Sequence, residues 1–317
     1  MTGKASEGAP DESSKRRWTR RHVLALGFGG MAAVVAAGAT GVELVSHGVV
    51  PGKSLLDQLD GACSVAIPPF EFGPLGPSLS SSFYSRARNR HVSYTVGYPP
   101  GHSVGDALPL VVMLHGWGGN HKDALAGMSP AQAVGLKVDG ALMRPFAIVT
   151  VDGGNGYWTP HPGDDPMAMV IGELIPLCQR LGLGRPPRLI GTMGISMGGY
   201  GALLFGEKYP TLFSAVAAIS PAIWTSYDQA KAANPTAYAS AAAFCANDAV
   251  THAASLTGLQ VRVAAGVDDP FYPGVLALVR ALPAGADTYL GQGCHTGPFF
   301  TQQEPPSLAF LAQHLAS

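Results

Sequence analysis

Charged side chains are scarce in this sequence: Asp, Glu, Lys and Arg make up 13% of its 317 residues, whereas 47% are hydrophobic. Such a chain can bury a large core, in one large domain or two of medium size. Residues 1–40 hold six of the 20 Lys and Arg and three of the 21 Asp and Glu, which leaves 14 basic and 18 acidic side chains in the rest. That remainder has no positive excess to attract a phosphate backbone, so we expect no nucleic-acid partner.

Cysteine is also rare, and the chain has four: Cys63, Cys178, Cys245 and Cys294. Because no C-x-x-C pair or His-rich run occurs, the sequence predicts neither a metal site nor a cofactor. Four cysteines are compatible with an oxidising compartment. We expect Cys178, in an apolar helical stretch, to be buried as a thiol. If any bridge forms, we expect Cys245 to pair with Cys294.

The N-terminal residues 1–45 combine a basic run at 15–21 with an uncharged apolar segment at 23–40. That order is typical of a secretory signal, and the residues at 19–24 (Thr-Arg-Arg-His-Val-Leu) resemble the twin-arginine export signal. About 18 apolar residues can also just span a bilayer, so a cleaved signal and a retained membrane anchor both stay open. Either way we expect an exported protein, extracellular or associated with the cell envelope. A linker at 46–66 would then precede one folded domain at 67–317.

Buried strands alternate with helices along that domain. Continuous apolar runs predict strands at 110–114, 146–151, 188–195, 213–219, 260–265 and 287–290. Helical patterns lie at 129–136, 167–181, 199–209, 274–282 and 306–315. This alternation indicates a mostly parallel sheet with right-handed crossovers. Ahead of it, two alternating segments at 78–88 and 91–98 flank Asn89 and predict an antiparallel hairpin.

Residues 224–256 interrupt the alternation. They are rich in alanine, have no strand pattern, and are broken into short helices by Asn234-Pro235 and Asn247-Asp248. A segment inserted between two sheet strands could form a cap over the edge of the sheet, or surface helices packed beside it. Both interpretations stay open.

The residues at 194–198, Gly-Ile-Ser-Met-Gly, match G-x-S-x-G, the nucleophile elbow. In that motif a serine occupies a sharp strand-to-helix turn with its hydroxyl exposed, and the two glycines let the backbone fold back tightly. The flanks fit, because an apolar run at 188–195 precedes the serine and a helical pattern at 199–209 follows it. We therefore predict that Ser196 is a nucleophile.

A serine nucleophile needs an orienting acid, which in this architecture follows the serine in sequence. The strand predicted at 260–265 ends in a loop with Asp268 and Asp269. This loop lies at the carboxyl edge of the sheet, where Ser196 is expected. Asp269 is our candidate, and Asp268 stays the alternative.

The base should be a histidine, the last member of the triad in sequence order, and His252, His295 and His314 are the candidates. His252 lies in the alanine-rich insertion, and His314 lies on a helix close to the chain end. His295 directly follows the last predicted strand and precedes Gly297-Pro298, which places it in a loop at the same edge. We predict His295 as the base.

Two backbone N–H groups should hold the oxyanion. One is that of Met197, the residue after the nucleophile, at the start of a helix. The other is that of Trp117, in the Gly-rich loop at 115–119 after the strand at 110–114. We expect His115 to support this loop rather than to take part in the chemistry.

Two further motifs have less defined roles. The loop at 152–158 opens at the same edge, and its residues Tyr157 and Trp158 could line an acyl or sugar pocket or pack as ordinary loop residues. Glu173 lies inside a predicted helix, and we expect it to be structural.

From about residue 78 onward, roughly three quarters of the chain resembles the α/β-hydrolase esterases of the esterase D and antigen 85 group. The motifs that carry the resemblance are His-Gly-Trp-Gly-Gly at 115–119, Glu-Leu-Ile-Pro at 173–176, Gly-Ile-Ser-Met-Gly-Gly-Tyr-Gly-Ala at 194–202, Ser-Pro at 220–221, Gly-Val-Asp-Asp at 266–269 and Gly-Cys-His at 293–295. The resemblance implies the α/β-hydrolase fold, with a mostly parallel central sheet, an N-terminal antiparallel hairpin and helices on both faces. It also implies Ser196 as nucleophile, Asp269 as acid and His295 as base.

The resemblance has a limit in its choice of acid. Antigen 85 proteins have a glutamate at that position and move mycolic acid between trehalose carriers. This chain has Asp-Asp there, so the mycolyl activity is not implied. Together with the export signal and the Ala- and Gly-rich composition, the resemblance suggests an actinobacterial exported esterase.

We thus expect a serine carboxylic-ester hydrolase that works through a Ser-His-Asp triad and an acyl-enzyme on a small-molecule, lipid or sugar ester. One alternative is an acyltransferase that moves acyl groups onto cell-envelope sugars, in the manner of a mycolyltransferase. A binding protein on an inactive hydrolase fold is the third hypothesis. Membrane association would come only through residues 1–45.

Overall fold

The structure, a computed structural model, describes residues 61–186 and 189–315. The signal or anchor predicted at 1–45 and residues 46–60 of the linker predicted at 46–66 lie outside the described residues, so both stay predictions. Within the described part, none of the helices combines the length and apolarity needed to cross a bilayer.

The central sheet has eight strands, in the order β11-β10-β9-β8-β4-β7-β3-β2, and a small second sheet has the order β1-β5-β6. The strands are β1 (Glu71–Phe72), β2 (Ser78–Ser85), β3 (Arg90–Gly97), β4 (Leu110–Leu114), β5 (Leu136–Val138), β6 (Ala141–Leu142), β7 (Ala147–Val151), β8 (Ile190–Ile195), β9 (Ala215–Ile219), β10 (Gln260–Gly266) and β11 (Asp287–Gly291). In the large sheet β3 runs antiparallel to both neighbours, and the other pairs are parallel. The predicted mostly parallel sheet with an antiparallel hairpin is confirmed.

Burial of the central strands on both faces explains why continuous apolar runs in the sequence predict them. Every residue of β4, β7, β8 and β9 is buried, because parallel strands are covered on both faces. In β4 the side chains of Leu110, Val112 and Leu114 join one apolar cluster, while Val111 and Met113 join the other. The edge strand β2 is mostly exposed, which fits its alternating sequence.

Helices cover both faces of the sheet. They are α1 (Pro130–Val134), α2 (Pro166–Met169), α3 (Ile175–Arg180), α4 (Met197–Lys208), α5 (Tyr227–Ala233), α6 (Ala241–Ala246), α7 (Tyr272–Ala281) and α8 (Gly297–His314). A π-helical turn, Val170–Leu174, joins α2 to α3, and a 3-10 turn lies at Ala253–Leu256. The insertion at 224–256 therefore contains short helices, as expected.

Helix α8 begins nine residues before the predicted start at 306, and it contains Pro305 and Pro306. Prolines in a helix interior remove backbone hydrogen bonds and usually end the helix. Here the fully buried side chains of Phe299, Leu308 and Leu311 pack on one face of the sheet. Tertiary packing of this kind contributes most of a helix's stability and outweighs the local preference.

Residue 136 marks a second difference from prediction. The helix predicted at 129–136 ends at Val134, because Gly135 is its C-cap and Leu136 begins β5. The small sheet to which β5 belongs has strands of two or three residues, which are too short for a periodic pattern to reveal.

The expected Cys245–Cys294 pairing is wrong. Cys294 forms its disulfide with Cys63, and Cys245 is a free, exposed thiol on α6. The turn after β11 faces the lead-in segment at 61–72 rather than the insertion, and sequence distance (231 residues) conceals that proximity. Cys178 is buried as a thiol, as predicted, and burial raises the pKa of this thiol to about 12.

Glu207, in α4, is a buried carboxyl: the residue is 7% exposed, and neither carboxylate oxygen has a hydrogen-bond partner among the described residues. Burial raises the pKa of Glu207 to about 9, with a smaller lowering by the Lys208 charge and a further raising by the Asp248 charge. The folded state therefore holds this proton more tightly than the unfolded state does. The resulting stability is complete below the unfolded pKa and is lost as pH rises towards 9.

We expect Glu207→Gln to be as stable as the parent protein near pH 5 and more stable at pH 8 to 9. The neutral amide has no charge to desolvate, so the difference should grow by up to about 1.4 kcal/mol per pH unit above the ordinary carboxyl pKa. Urea unfolding at a series of pH values measures it. Glu71→Gln is the matched control, because Glu71 is exposed, and a pH-independent difference for Glu207→Gln would contradict the argument.

Candidate active site

Ser196 lies at the junction of β8 and α4 with φ 57° and ψ −120°, a conformation that non-glycine residues rarely adopt. Its N–H donates to the Ile219 carbonyl over 2.9 Å, and its own carbonyl accepts from the Tyr200 N–H over 3.0 Å. A β-carbon on Gly194 would overlap the Gly198 backbone, and one on Gly198 would overlap the Leu114 carbonyl. The two glycines of the motif are therefore required by the turn itself.

Ser196 is the first member of a hydrogen-bonded chain of three side chains. Its Oγ lies 2.8 Å from His295 Nε2, and His295 Nδ1 lies 2.8 Å from Asp269 Oδ2. The Asp269 side chain has no exposed surface, whereas that of His295 is 21% exposed. This arrangement can hold one imidazole tautomer, with Nδ1–H directed at the carboxylate and Nε2 free to accept from the serine.

Asp269, the candidate acid, bonds His295 through Oδ2. The second oxygen of Asp269, Oδ1, accepts the Phe271 N–H over 2.8 Å, which fixes the carboxylate in its turn. Asp268 instead uses its backbone N–H to bind the Gly293 carbonyl over 3.0 Å.

The other two histidines considered as the base, His252 and His314, lie outside this hydrogen-bonded chain. His252 is next to the 3-10 turn of the insertion, and His314 stacks against Phe310 at the end of α8.

The two predicted oxyanion residues flank Ser196. Met197 is the first residue of α4, whose leading N–H groups have no acceptor within the helix. Trp117 lies in the loop after β4 and is 63% exposed. The loop passes close to the serine, since a β-carbon on Gly116 would lie 3.6 Å from the Ser196 β-carbon.

His115 holds this loop through both of its ring nitrogens. Nε2 accepts the Gly153 N–H over 2.9 Å, so the ring proton is on Nδ1, which donates to the Gly116 carbonyl over 2.7 Å. The side chain is fully buried, and burial lowers the pKa of His115, which keeps the ring neutral. These contacts agree with the expected supporting role.

Asn155 is a site residue that sequence reasoning missed. Its Oδ1 accepts the Gly118 N–H over 2.8 Å, and its carbonyl accepts from Asn234 Nδ2 over 3.3 Å. Asn155 thus joins the loop after β4, the loop after β7 and the insertion. The only sequence signal for this role is an asparagine in the Gly-rich stretch at 152–158.

The aromatic residues of the loop at 152–158, Tyr157 and Trp158, lie in different environments. Tyr157 lines the cavity above Ser196 and accepts a hydrogen bond from Trp224 Nε1 over 2.9 Å. Trp158 is fully buried against α4, and its Nε1 donates to the His115 carbonyl over 3.3 Å. One residue of the pair therefore contributes to a pocket and the other to the core.

Glu173 is structural, as expected. It lies in the π-helical turn, and its Oε1 accepts the backbone N–H groups of Arg86 and Ala87 over 2.9 and 3.1 Å. These bonds attach the turn of the β2–β3 hairpin to the helix.

A cavity of about 590 Å³ opens above Ser196 and His295. Its lining includes five aromatic side chains: Trp117, Tyr157, Trp224, Phe271 and Phe300. The insertion also contributes Ala233 and Asn234, while its later part packs on α4 through the Tyr200 hydroxyl, which donates to the Asn247 carbonyl over 2.6 Å. The site has no neighbouring metal centre: across residues 61–186 and 189–315, no group of three or more His, Cys, Asp or Glu side chains is placed to hold a metal ion.

The model of the Esterase family, described as "Putative esterase", matches residues 85–281, which is more than half of the chain. The chain belongs to this esterase family. The matched residues include the elbow, the loop after β4 and Asp269, and they end before His295. No curated protein matches the chain.

Solved structures that match include a ferulic acid esterase (TM-score 0.63, 19% identity, 77% of this chain and 100% of that one). An S-formylglutathione hydrolase from Agrobacterium tumefaciens also matches (TM-score 0.60, 19% identity, 80% and 100%). So does MPT51 (FbpC1) from Mycobacterium tuberculosis (TM-score 0.57, 14% identity, 78% and 100%). At these identities the likeness is one of fold. The predicted α/β-hydrolase fold and the resemblance to the esterase D and antigen 85 group are thus confirmed.

Proposed function

We propose that this member of the esterase family is a serine carboxylic-ester hydrolase with Ser196 as nucleophile, His295 as general base and Asp269 as orienting acid. The observation that carries the proposal is the hydrogen-bonded chain from Asp269 through His295 to Ser196, which ends at the floor of an open aromatic cavity. Nucleophile and base lie within hydrogen-bond reach, and a third group orients the base, as covalent catalysis by serine requires.

In the first half of the reaction, the Ser196 Oγ attacks the ester carbonyl carbon while its proton passes to His295 Nε2. The C–O bond to the leaving alcohol then breaks, and the alkoxide takes that proton from His295. An acyl group remains on Ser196. The Asp269 carboxylate accepts from Nδ1–H throughout and stabilises the imidazolium while it exists.

In the second half, water enters the same position. His295 removes a proton from the water, which attacks the acyl carbonyl, and the proton returns to Ser196 Oγ as the acid leaves. The negative oxygen of both tetrahedral states would be held by the backbone N–H groups of Met197 and Trp117, each worth about 3 kcal/mol. The position of Met197 at the first turn of α4 adds the positive end of the helix dipole.

The cavity supports an ester with an apolar or flat part, because five aromatic side chains are among the residues that line it. Transfer of the acyl group to a sugar of the cell envelope, instead of to water, stays an alternative. It would need a sugar hydroxyl to enter the cavity in place of water. Export through residues 1–45 is also part of the proposal and rests on sequence alone.

Labelling by a fluorophosphonate probe tests the proposed function. We expect a single covalent adduct, located by mass spectrometry on Ser196, and hydrolysis of p-nitrophenyl esters whose rate depends on acyl length. The control variant Ser255→Ala removes an exposed serine of the insertion and should label like the parent. No adduct on Ser196 in folded protein would favour the binding-protein hypothesis instead. A product ester formed only when trehalose or glucose is added would favour the transferase.

A further inference from the structure

The Cys63–Cys294 disulfide lies next to the proposed base, since Cys294 directly precedes His295. Cys294 is 4% exposed, and its partner comes from the start of the described chain, 231 residues away. A covalent bond is thus placed one residue from an imidazole whose misplacement by about 1 Å would lower the rate about a hundredfold.

The segment that carries His295 is short, and the His295 ring packs edge-on against Phe271 and Phe300, with ring centroids 5.1 and 5.0 Å away. It runs from Gly293, with φ 143°, to the first residue of α8. The Gly293 carbonyl accepts the Asp268 N–H, and the Cys294 carbonyl accepts the Thr296 N–H over 2.9 Å. The Thr296 hydroxyl is buried and has no hydrogen-bond partner within the described residues.

The partner side of the bridge is itself anchored to α8. Gln302 Nε2 donates to the Ala66 carbonyl over 2.9 Å. The side chains of Val65, Phe70 and Phe72 pack against the apolar cluster that contains Phe299. The lead-in segment at 61–72 is therefore a fixed support from which the disulfide can hold the His295 turn.

We propose that the Cys63–Cys294 disulfide is a positioning element that holds His295 against Ser196 and Asp269, so that opening the bridge lowers turnover while the protein stays folded. The proposal rests on the proposed role of His295. A small dithiol should therefore lower the activity, because Cys63 is partly exposed and can be attacked.

The reduction is an ordinary thiol–disulfide exchange. A thiolate of a small dithiol attacks the Cys63 sulfur, the sulfur–sulfur bond breaks, and Cys294 leaves as a thiolate that takes up a proton. The second thiol of the reagent then displaces Cys63 from the mixed disulfide. The net result is two protein thiols and one cyclic disulfide of the reagent, with two electrons and two protons transferred to the protein.

The test compares Cys63→Ala with the parent, both in a Cys245→Ala background. This background removes the exposed free thiol that could form a wrong bridge with Cys294. We expect kcat for p-nitrophenyl ester hydrolysis to fall between about tenfold and a hundredfold, with KM changed less than twofold. The rate of phosphonate labelling at Ser196 should fall in parallel, because labelling also needs the base.

Reduction of the parent by dithiothreitol should reproduce the loss, and reoxidation should restore full activity; Cys63→Ala should respond to neither. Activities are compared where circular dichroism shows the same fold. Unchanged kcat and labelling in folded protein without the bridge would overturn the proposal. The disulfide would then contribute only to the stability of the fold. Unfolding as soon as the bridge opens would overturn it as well. If instead Ser196 is not labelled even in the oxidised parent, the proposed function itself fails.

Discussion

Replacing Ser196 with alanine is expected to lower kcat for p-nitrophenyl ester hydrolysis by about a millionfold, to the level of catalysis without an acyl-enzyme. The loss should be this large because Ser196 Oγ, 2.8 Å from His295 Nε2, is the only hydroxyl of residues 61–186 and 189–315 with a hydrogen bond to that base. Steady-state kinetics with p-nitrophenyl butyrate measures the change.

Ser196→Ala should leave the fold intact, so that a loss of activity can be assigned to the missing hydroxyl. Alanine has the same β-carbon as serine, so the strained turn at φ 57° is no more difficult for it. Thermal unfolding followed by circular dichroism should shift little, and Ser255→Ala should keep parent activity. If Ser196→Ala retains more than a hundredth of the parent rate, the interpretation of the elbow is wrong.

The second large effect should come from Asp269→Asn, with a fall in kcat of about ten-thousandfold. Asparagine can direct its amide N–H groups at His295 Nδ1, which then becomes an acceptor. The ring proton moves to Nε2, where it blocks proton transfer from Ser196. KM should change much less than kcat, because Asp269 is buried beneath the histidine and does not line the cavity.

Asp268→Asn is the matched control for that variant. The two aspartates are neighbours in one turn, and the carboxylate of Asp269 is the one hydrogen-bonded to His295 Nδ1 in the triad. We expect Asp268→Asn to retain activity within about tenfold of the parent, since it leaves the triad hydrogen bonds in place. Equal losses in the two variants would mean that the turn as a whole, and not the orienting carboxylate, is responsible.

Much of the candidate site was predictable from sequence because its parts follow the strands in a regular way. The elbow is a local motif, because a β-carbon on Gly194 would overlap the backbone of Gly198 within the same turn. The acid and the base follow β10 and β11, and parallel strands place their carboxyl ends at one edge. Sequence order therefore indicated Ser196, His295 and one of two aspartates.

The details that sequence left open depend on single side-chain directions. Asp268 and Asp269 follow the same strand, and only the turn that begins at Gly266 decides which carboxylate points at His295. The link that Asn155 makes between Gly118 and Asn234 joins three loops that are far apart in sequence. No periodic or local pattern encodes such a contact.

The amino-acid sequence by itself determined the alternation of buried strands and helices, the hairpin, the serine turn and the order of the triad candidates. These features follow from hydrophobic periodicity and from the backbone freedom of a few glycines, which act locally. Only the tertiary structure decided that Cys63 bridges Cys294, that α8 continues through two prolines, and that the insertion lines the cavity. Each of these depends on which surfaces meet in the folded chain, and burial there outweighs the local preference.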